Sequence, residues 1–355
     1  MRALDVVVPE GIHDQARPSG GNAYDRHICR GVRHLGWLVH EHAVPGCWPH
    51  PDSRSLAALD GVLRRIPDGA VVLIDGLIAS AAPEVLVPEA RRLELVALIH
   101  MPLGDRPTGD PAETIRMRER AVLSAVAAVV TTSEWSRSRL LGLYDLPAER
   151  LHVVEPGVDA ADLAMGTETG ETMLCVASVI PDKGHDVLLD ALATVSDLTW
   201  QCVCVGRLDR DQGFVQQLRR RSLDAGLDKR VHFEGPRAGP ELDRSYAGAD
   251  LMVLATRAET YGMVITEALA RGLPVVVTEV GGVTEALGYG SDLSRPGLLV
   301  PPDDPAALGA ALRTWLTDAQ LRRRLRQAAH TRRHSLRGWS TTASMLADVL
   351  PNSSV

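Results

Sequence analysis

The chain has 355 residues, 45% hydrophobic and 23% charged, with a formal net charge of −7 and only 4% aromatic residues. That length exceeds one ordinary core and suits two domains of roughly 150–180 residues. The acidic balance and the scarcity of aromatics argue against a nucleic-acid partner, and no apolar run reaches the roughly 18 residues that cross a bilayer.

The first strand opens at Ala3, with no basic segment and cleavage site before it, so a cytoplasmic location is expected. Of the five cysteines, Cys202 and Cys204 alternate on one strand and read as core thiols; no CxxC occurs and no disulfide framework is expected. Two of the 38 basic residues are lysines, Lys183 and Lys229.

Taken in order, Ala3–Val8 reads as a strand, and a Gly/Pro/Ser loop follows from Gly11 to Gly21. The apolar spacing of Ala23, Ile28, Val32 and Leu35 predicts a helix over 22–35. Strand, Gly20-Gly21 pair and helix can bring backbone close to a phosphate, although a GxGxxG fingerprint is absent. Further strands are predicted at 37–44, 71–74, 93–99, 125–131 and 151–154, separated by helices. Asp75, His100 and Ser133 fall just past strand C-termini, the edge at which open α/β sheets bind ligands. The small, acidic stretch 159–171 reads as a linker.

A second series begins at Thr172, with strands at 173–179, 200–205 and 230–233 and helices at 187–195, 213–225 and 242–247. Asp209-Arg210-Asp211 has the DxD spacing of a metal–diphosphate ligand pair. Its place before a helix fits a solvated N-terminal turn better. The second series turns on residues 249–277: an apolar run, then Arg257 to Gly272, then a second apolar run, one βαβ unit of a parallel sheet. Glu259 lies in the loop after the strand, and Glu267 about two helical turns further on. Between them Tyr261, Gly262, Met263 and Val264 open the helix, where free amides and the helix dipole favour a phosphate. Spacing alone also describes an ordinary buried unit with two solvated glutamates. Strand 298–300, helix 304–316 and an arginine-rich helical pattern over 319–349, read as a solvated face, close the chain.

The set Pro156-Gly157-Val158-Asp159, Pro181-Asp182-Lys183-Gly184, Glu259-x7-Glu267 with Thr260-Tyr261-Gly262, Glu267-Ala268-Leu269-Ala270-x-Gly272-Leu273-Pro274-Val275, Gly281-Gly282 and Gly297-Leu298-Leu299-Val300-Pro301 resembles, in order and spacing, the retaining glycosyltransferases of family 4, of GT-B fold. The resemblance covers nearly the whole chain. It is specific in the C-terminal half and looser in the N-terminal half, where Gly20-Gly21, His100 and Thr131-x-Ser133 carry it. It implies an α/β fold of two Rossmann-like domains facing across a cleft. Residues 1–158 would be an acceptor-binding domain, 159–330 a nucleotide-sugar-binding domain and 331–355 a helix returning toward the first.

The resemblance further implies a hexosyltransferase that moves a sugar from a UDP- or GDP-sugar to a small-molecule hydroxyl, with no cofactor and no metal. Gly20 and Gly21 would approach the donor diphosphate. Lys183 would pair with it, and the amides of Gly262, Met263 and Val264, next to Tyr261, would complete the cradle. Glu259 would hold donor-sugar hydroxyls near the reacting carbon, Glu267 the nucleotide ribose, and His100 the donor sugar and the acceptor side. Glu259, His100 and Lys183 are thus the expected catalytic group. The acceptor would attack from the front face, the leaving phosphate taking its proton.

One departure stands out. Members commonly carry an arginine in a Gly-Arg-Leu segment before the lysine, and this chain has Ala177-Ser178-Val179 there. Ser178 can donate one hydrogen bond but no charge, so Arg207 or Arg257 is expected to supply the second diphosphate cation. Three readings stay beside this one: a lipid-linked or cell-envelope acceptor, a GT-B nucleotide-sugar epimerase or phosphorylase, and a non-catalytic nucleotide-sugar-binding protein. Membrane-docking members use a basic amphipathic helix. The nearest stretch here is Arg116-Met117-Arg118-Glu119-Arg120, so a soluble acceptor is preferred.

Overall fold

A computed structural model describes residues 2–14, 19–105 and 110–351. The chain divides into two compact units, residues 1–157 with 337–355, and residues 158–336. Each is built on a six-stranded parallel sheet.

In the first unit the strands are β1 (Ala3–Pro9), β2 (Leu38–Val44), β3 (Val71–Asp75), β4 (Glu94–Ile99), β5 (Ala128–Thr131) and β6 (Leu151–Val153), in the order β2-β1-β3-β4-β5-β6. Central strands such as β3 are buried along their whole length, as a parallel sheet covered on both faces requires. The edge strand β2 instead leaves His40 exposed and His42 half-buried against Asp5. The strand expected from residue 125 starts at Ala128, because the preceding helix, Asp110–Ala125, runs on to that point.

The helix Trp339–Val349 belongs to this unit and packs along the helix Gly20–His34. The approach is close: a Cβ at Gly31 would meet the Ala343 side chain at 2.5 Å, and one at Gly157 would meet the Trp339 backbone. His27 stacks on Trp339 at 4.2 Å, and Thr342 Oγ1 donates to the Glu155 carbonyl at 3.0 Å.

The second unit holds β7 (Thr172–Val176), β8 (Gln201–Val205), β9 (Val231–Phe233), β10 (Leu251–Leu254), β11 (Val275–Thr278) and β12 (Gly297–Val300), ordered β12-β11-β10-β7-β8-β9. Strand order reverses between β7 and β10 here, and between β1 and β3 in the first unit. These are the switch points at which loops from the two sides diverge and leave a crevice.

One expectation, the solvated tail, is corrected, and two other stretches gain detail. The stretch 159–171 has no helix or strand, yet it is strapped to its unit rather than running free. Asp250 in the core accepts from the Thr167 amide and hydroxyl and, at 2.9 Å, from the Thr172 amide; Trp315 Nε1 donates to the Gly170 carbonyl at 2.8 Å. The arginine-rich tail is two helices, Ala319–Arg333 and Trp339–Val349, and it is not simply a solvated face. Arg322 is buried and donates to the Trp315 and Leu316 carbonyls at 2.8 and 2.9 Å, satisfying the open C-terminal end of the preceding helix. Finally, the stretch 116–120 is no exposed basic face. Glu119 is fully buried, Arg116 Nε donates to the Gly104 carbonyl at 2.7 Å, and Arg118 pairs with Glu84.

Candidate active site

In the second unit the two loops flanking the switch point carry Lys183 and Glu259. After β7 the chain turns through Ser178 into a short 3-10 turn, Pro181–Lys183, and Gly184 then takes a left-handed conformation (φ +62°) to start the helix His185–Ala193. A Cβ at Gly184 would collide with the Ala255 carbonyl, so glycine lets the two loops touch. Arg257 N and Thr256 Oγ1 donate to the Asp182 carbonyl at 2.8 and 3.2 Å. Behind Glu259 lies Gly281 (φ +54°), where a Cβ would run into the Glu259 carbonyl. The loops so fixed bring Lys183 Nζ to 2.7 Å from Glu259 Oε2. Both side chains remain partly exposed, at 26% and 18%.

Gly262 (φ +98°) starts the helix Met263–Ala270 and offers no side-chain cap, so the first-turn amides of Met263 and Val264 are not held by one. Tyr261 is buried in the core below. One face along, Glu267 Oε2 accepts from Tyr246 Oη at 2.8 Å, and Arg271 lies 4.5 Å over the Tyr246 ring. Burial raises the Glu267 pKa, against the pull of the Tyr246 hydrogen bond and the Arg271 charge.

Ser178 sits beside Arg207, whose carbonyl accepts from Val179 N at 2.9 Å. The Arg207 guanidinium makes a two-pronged pair with exposed Asp209, 2.9 Å on each prong. Arg257 is committed elsewhere: it holds Asp186 at 2.8 and 2.9 Å, Asp303 at 2.6 Å and the Pro181 carbonyl. Asp211, the second acid of the DxD spacing, caps the helix Gln212–Asp224 through Phe214 N at 2.9 Å.

The first unit gathers a second constellation at its own switch point. Ser19 caps the helix Gly20–His34, so Gly20 and Gly21 lie in its first turn rather than in the expected loop. The reason is that Ser19 supplies the capping oxygen and no Cβ obstructs the turn. A Cβ at Gly21 would stand 3.2 Å from the His100 ring. His100, just past β4, bonds Asp25 through Nε2 at 2.8 Å, lies 3.7 Å from Asp75 Oδ2, and takes the edge of Tyr24 at 5.2 Å. Burial and the Asp25 charge push the Asp75 carboxyl up to about 7. Burial alone would lower the His100 pKa, but the Asp25 and Asp75 carboxylates outweigh it and raise it. Asp25 Oδ2 is buried without a partner.

Lys183, Glu259, Glu267 and the Gly262–Val264 turn thus fall in one unit, and Gly20, Gly21 and His100 in the other. Sequence reasoning missed Asp25 and Tyr246. Asp25 had a visible signal, an acidic residue next to Tyr24 on the apolar side of a helix. Tyr246 had none beyond its helix.

Comparison with known proteins identifies the family. A family model described as Glycosyl transferases group 1 matches residues 166–332, and one described as Glycosyltransferase Family 4 matches residues 6–162. D-inositol 3-phosphate glycosyltransferase 1 of Catenulispora acidiphila is 31% identical over 294 residues, 78% of this chain and 68% of that one. The chain belongs to glycosyltransferase family 4. A D-inositol 3-phosphate glycosyltransferase of Jonesia denitrificans is 33% identical over 266 residues, 69% of this chain and 61% of the relative. Mannosylfructose-phosphate synthase of Agrobacterium fabrum is 31% identical over 238 residues, 61% and 51%. Against most of these curated relatives the family 4 chain spans less than two thirds of their length. Among solved structures, sucrose-phosphate synthase from Thermosynechococcus elongatus superposes with a TM-score of 0.81 at 19% identity, covering 98% of both chains. Anabaena HepE in complex with UDP and glucose superposes with 0.74 at 19% identity, covering 98% and 99%. The α/β architecture is therefore GT-B. No helix among the described residues is long and apolar enough to cross a membrane.

Proposed function

We propose that this family 4 chain is a retaining glycosyltransferase that moves a hexose from a nucleotide-diphosphate sugar to a hydroxyl of a small phosphorylated polyol or sugar. The observation that carries the reading is the Lys183–Glu259 pair at the switch point, with Glu267 one helix face away. Breaking a glycosyl–phosphate bond builds negative charge on the leaving diphosphate and positive charge on the sugar. Lys183 and the first-turn amides of Met263–Ala270 answer the first charge, and the Glu259 carboxylate answers the second while orienting hydroxyls. Lys183 enters this role by leaving Glu259 for the phosphate, which frees the carboxylate for the sugar. Glu267, held by Tyr246, receives the ribose. In this reading the leaving phosphate takes the acceptor proton, and the cationic side chains do the work for which a metal would otherwise serve.

The acceptor class follows the relatives, whose names point to inositol 3-phosphate and a phosphorylated fructoside. Calorimetry with UDP, GDP and ADP tests the donor site. Binding of one diphosphate, lost in Glu267→Ala with folding intact, supports it, and no binding of any overturns it. Transfer to a phosphorylated polyol or sugar, with the anomer read by nuclear magnetic resonance, tests the reaction and its stereochemistry.

A second reading is favoured by the Asp25–Asp75–His100 cluster, which offers acid and base groups to a nucleotide-sugar epimerase. Conversion of the donor to its epimer without any acceptor would establish that reading instead.

A further inference from the structure

Beneath the Lys183 loop lies a cluster that the donor chemistry does not use. Cys175 on β7 and Cys204 on β8 are directly paired in register on neighbouring strands. His185, the first residue of the helix that follows Lys183, reaches down onto them. All three side chains are buried at 1% exposure. Cys175 Sγ stands 3.7 Å from His185 Nε2, and one ligand atom from each of the three residues lies within 4.8 Å of the others.

A buried imidazole ordinarily has firm hydrogen-bond partners. His185 has a thiol sulfur on one side, and its Nδ1 is buried with no partner at all. The core therefore holds a polar ring whose hydrogen-bonding capacity goes largely unused, and a cost of that kind calls for a compensating contact. A cation ligated by Nε2 and two sulfurs would engage the ring on the Nε2 side, where the thiol sulfur now stands, while Nδ1 keeps its proton.

The geometry points to a zinc site formed by Cys175, His185 and Cys204. Zinc binds thiolate sulfur at about 2.3 Å and imidazole nitrogen at about 2.05 Å, which sets those two atoms about 3.6–3.8 Å apart for angles from tetrahedral to trigonal. The Cys175–His185 separation already matches, so binding needs no movement of that pair. Charge selects the ion. Two thiolates, one neutral imidazole and one divalent cation sum to zero, which suits a dry, low-dielectric interior. A cuprous ion would leave a net negative charge there, and the absence of carboxylate and carbonyl ligands disfavours magnesium or calcium. On loading, each thiol gives up its proton to solvent and each sulfur donates a pair to zinc, with no change of oxidation state. The bound ion would tie β7, β8 and the start of the His185–Ala193 helix together, two residues from Lys183. This assignment is independent of which sugar or acceptor the chain uses.

The test uses tag-free, full-length protein, equilibrated with zinc and then passed through chelating resin. About one retained zinc per chain is expected, with an X-ray absorption spectrum of two sulfur ligands and one nitrogen. Exchange with cadmium should give an ultraviolet thiolate-to-metal charge-transfer band. Metal and band should vanish in Cys175→Ser and Cys204→Ala and persist in Cys47→Ser, which alters an exposed cysteine. Wild-type protein with no stoichiometric metal and no band overturns the site, as does a band that survives both substitutions. If those variants do not fold, the wild-type spectrum decides alone: a ligand set other than two sulfurs and a nitrogen overturns the assignment.

Discussion

Lys183 and Glu259 are 76 residues apart in the chain and meet at 2.7 Å. The pair joins the loops that leave the sheet on the two sides of its switch point, and each residue holds the other in place until a charged ligand competes. Because both are partly solvated, the pair itself contributes little stability, roughly 0–1 kcal/mol. Its proposed role is in the reaction. Lys183→Ala should lower kcat/KM about 10²–10³-fold, the usual effect of deleting one charge-stabilising donor, with the unfolding midpoint nearly unchanged. Glu259→Gln should lower kcat more than it raises KM. Steady-state kinetics checks both, and retained turnover in the two variants would remove them from the active site.

In the proposed reading Arg207 supplies the charge that Ser178 lacks. One of its contacts is the exposed carboxylate of Asp209, two residues away, and a surface pair of that kind can exchange for phosphate. Arg257 is held by two carboxylates and a carbonyl and is not free to turn. Arg207→Ala should therefore weaken nucleoside-diphosphate binding about 10–100-fold, the scale of one hydrogen bond to a charged group. Adding Ser178→Arg should restore a large part of it. Calorimetry on the single and double variants decides, and absence of rescue would separate Arg207 from the diphosphate.

The Asp75 carboxyl, raised to about 7 from 3.8, predicts a pH dependence whose sign is fixed. Between those values the folded chain binds a proton that the unfolded chain does not. Stability therefore falls as pH rises from about 4 to 7. The raised His100 pKa acts in the same direction, since its favourable charge with Asp25 is lost as pH rises through that value. Asp75→Asn keeps an oxygen for the Leu77 amide, which Asp75 now caps at 2.8 Å, and removes the charge. It should be more stable than wild type at pH 7 by several degrees in Tm, with the gap closing toward pH 4. A thermal melt series over that range measures it, and a gap independent of pH would refute the account.

Glu119 is the structural centre of the first unit's loop after β4. Its carboxylate accepts from Ser80 Oγ and Tyr144 Oη, both at 2.6 Å, and from the Leu103 and Gly104 amides at 3.0 and 2.9 Å. Removing it leaves four donors in a dry site. Glu119→Ala should cost roughly 3–5 kcal/mol. Urea unfolding followed by circular dichroism should show the midpoint falling, with Glu119→Gln intermediate.

What could be read in the chain was what local physics controls. Uniform apolar runs such as Leu251–Leu254 and Val275–Thr278 mark strands covered on both faces, and the glycines at 184, 262 and 281 mark places where backbone must turn or touch backbone. Lys183, Glu259 and Glu267 sit among such landmarks, and the roles proposed for them came from the family resemblance of the motifs that hold them. Glu119 was not: in a run of arginines it reads as one more solvated charge, and only the fold brings Ser80, Gly104 and Tyr144 to it. Cys175 escaped for the same reason, since its partner Cys204 comes from another strand. Arg322 misled because its acceptors are carbonyls, which sequence does not distinguish.

The close seat of Ala343 against Gly31 has a consequence for synthesis. The first unit is assembled from both ends of the chain, with the whole of the second unit translated between them. Domains that are continuous in sequence can settle as they leave the ribosome, at about 5–20 residues per second. This one cannot finish in that order. Residues 2–157 must wait, with the Gly31 flank of their first helix uncovered, while some 180 further residues are made. The Gly31 flank is therefore covered only after the second unit has been made.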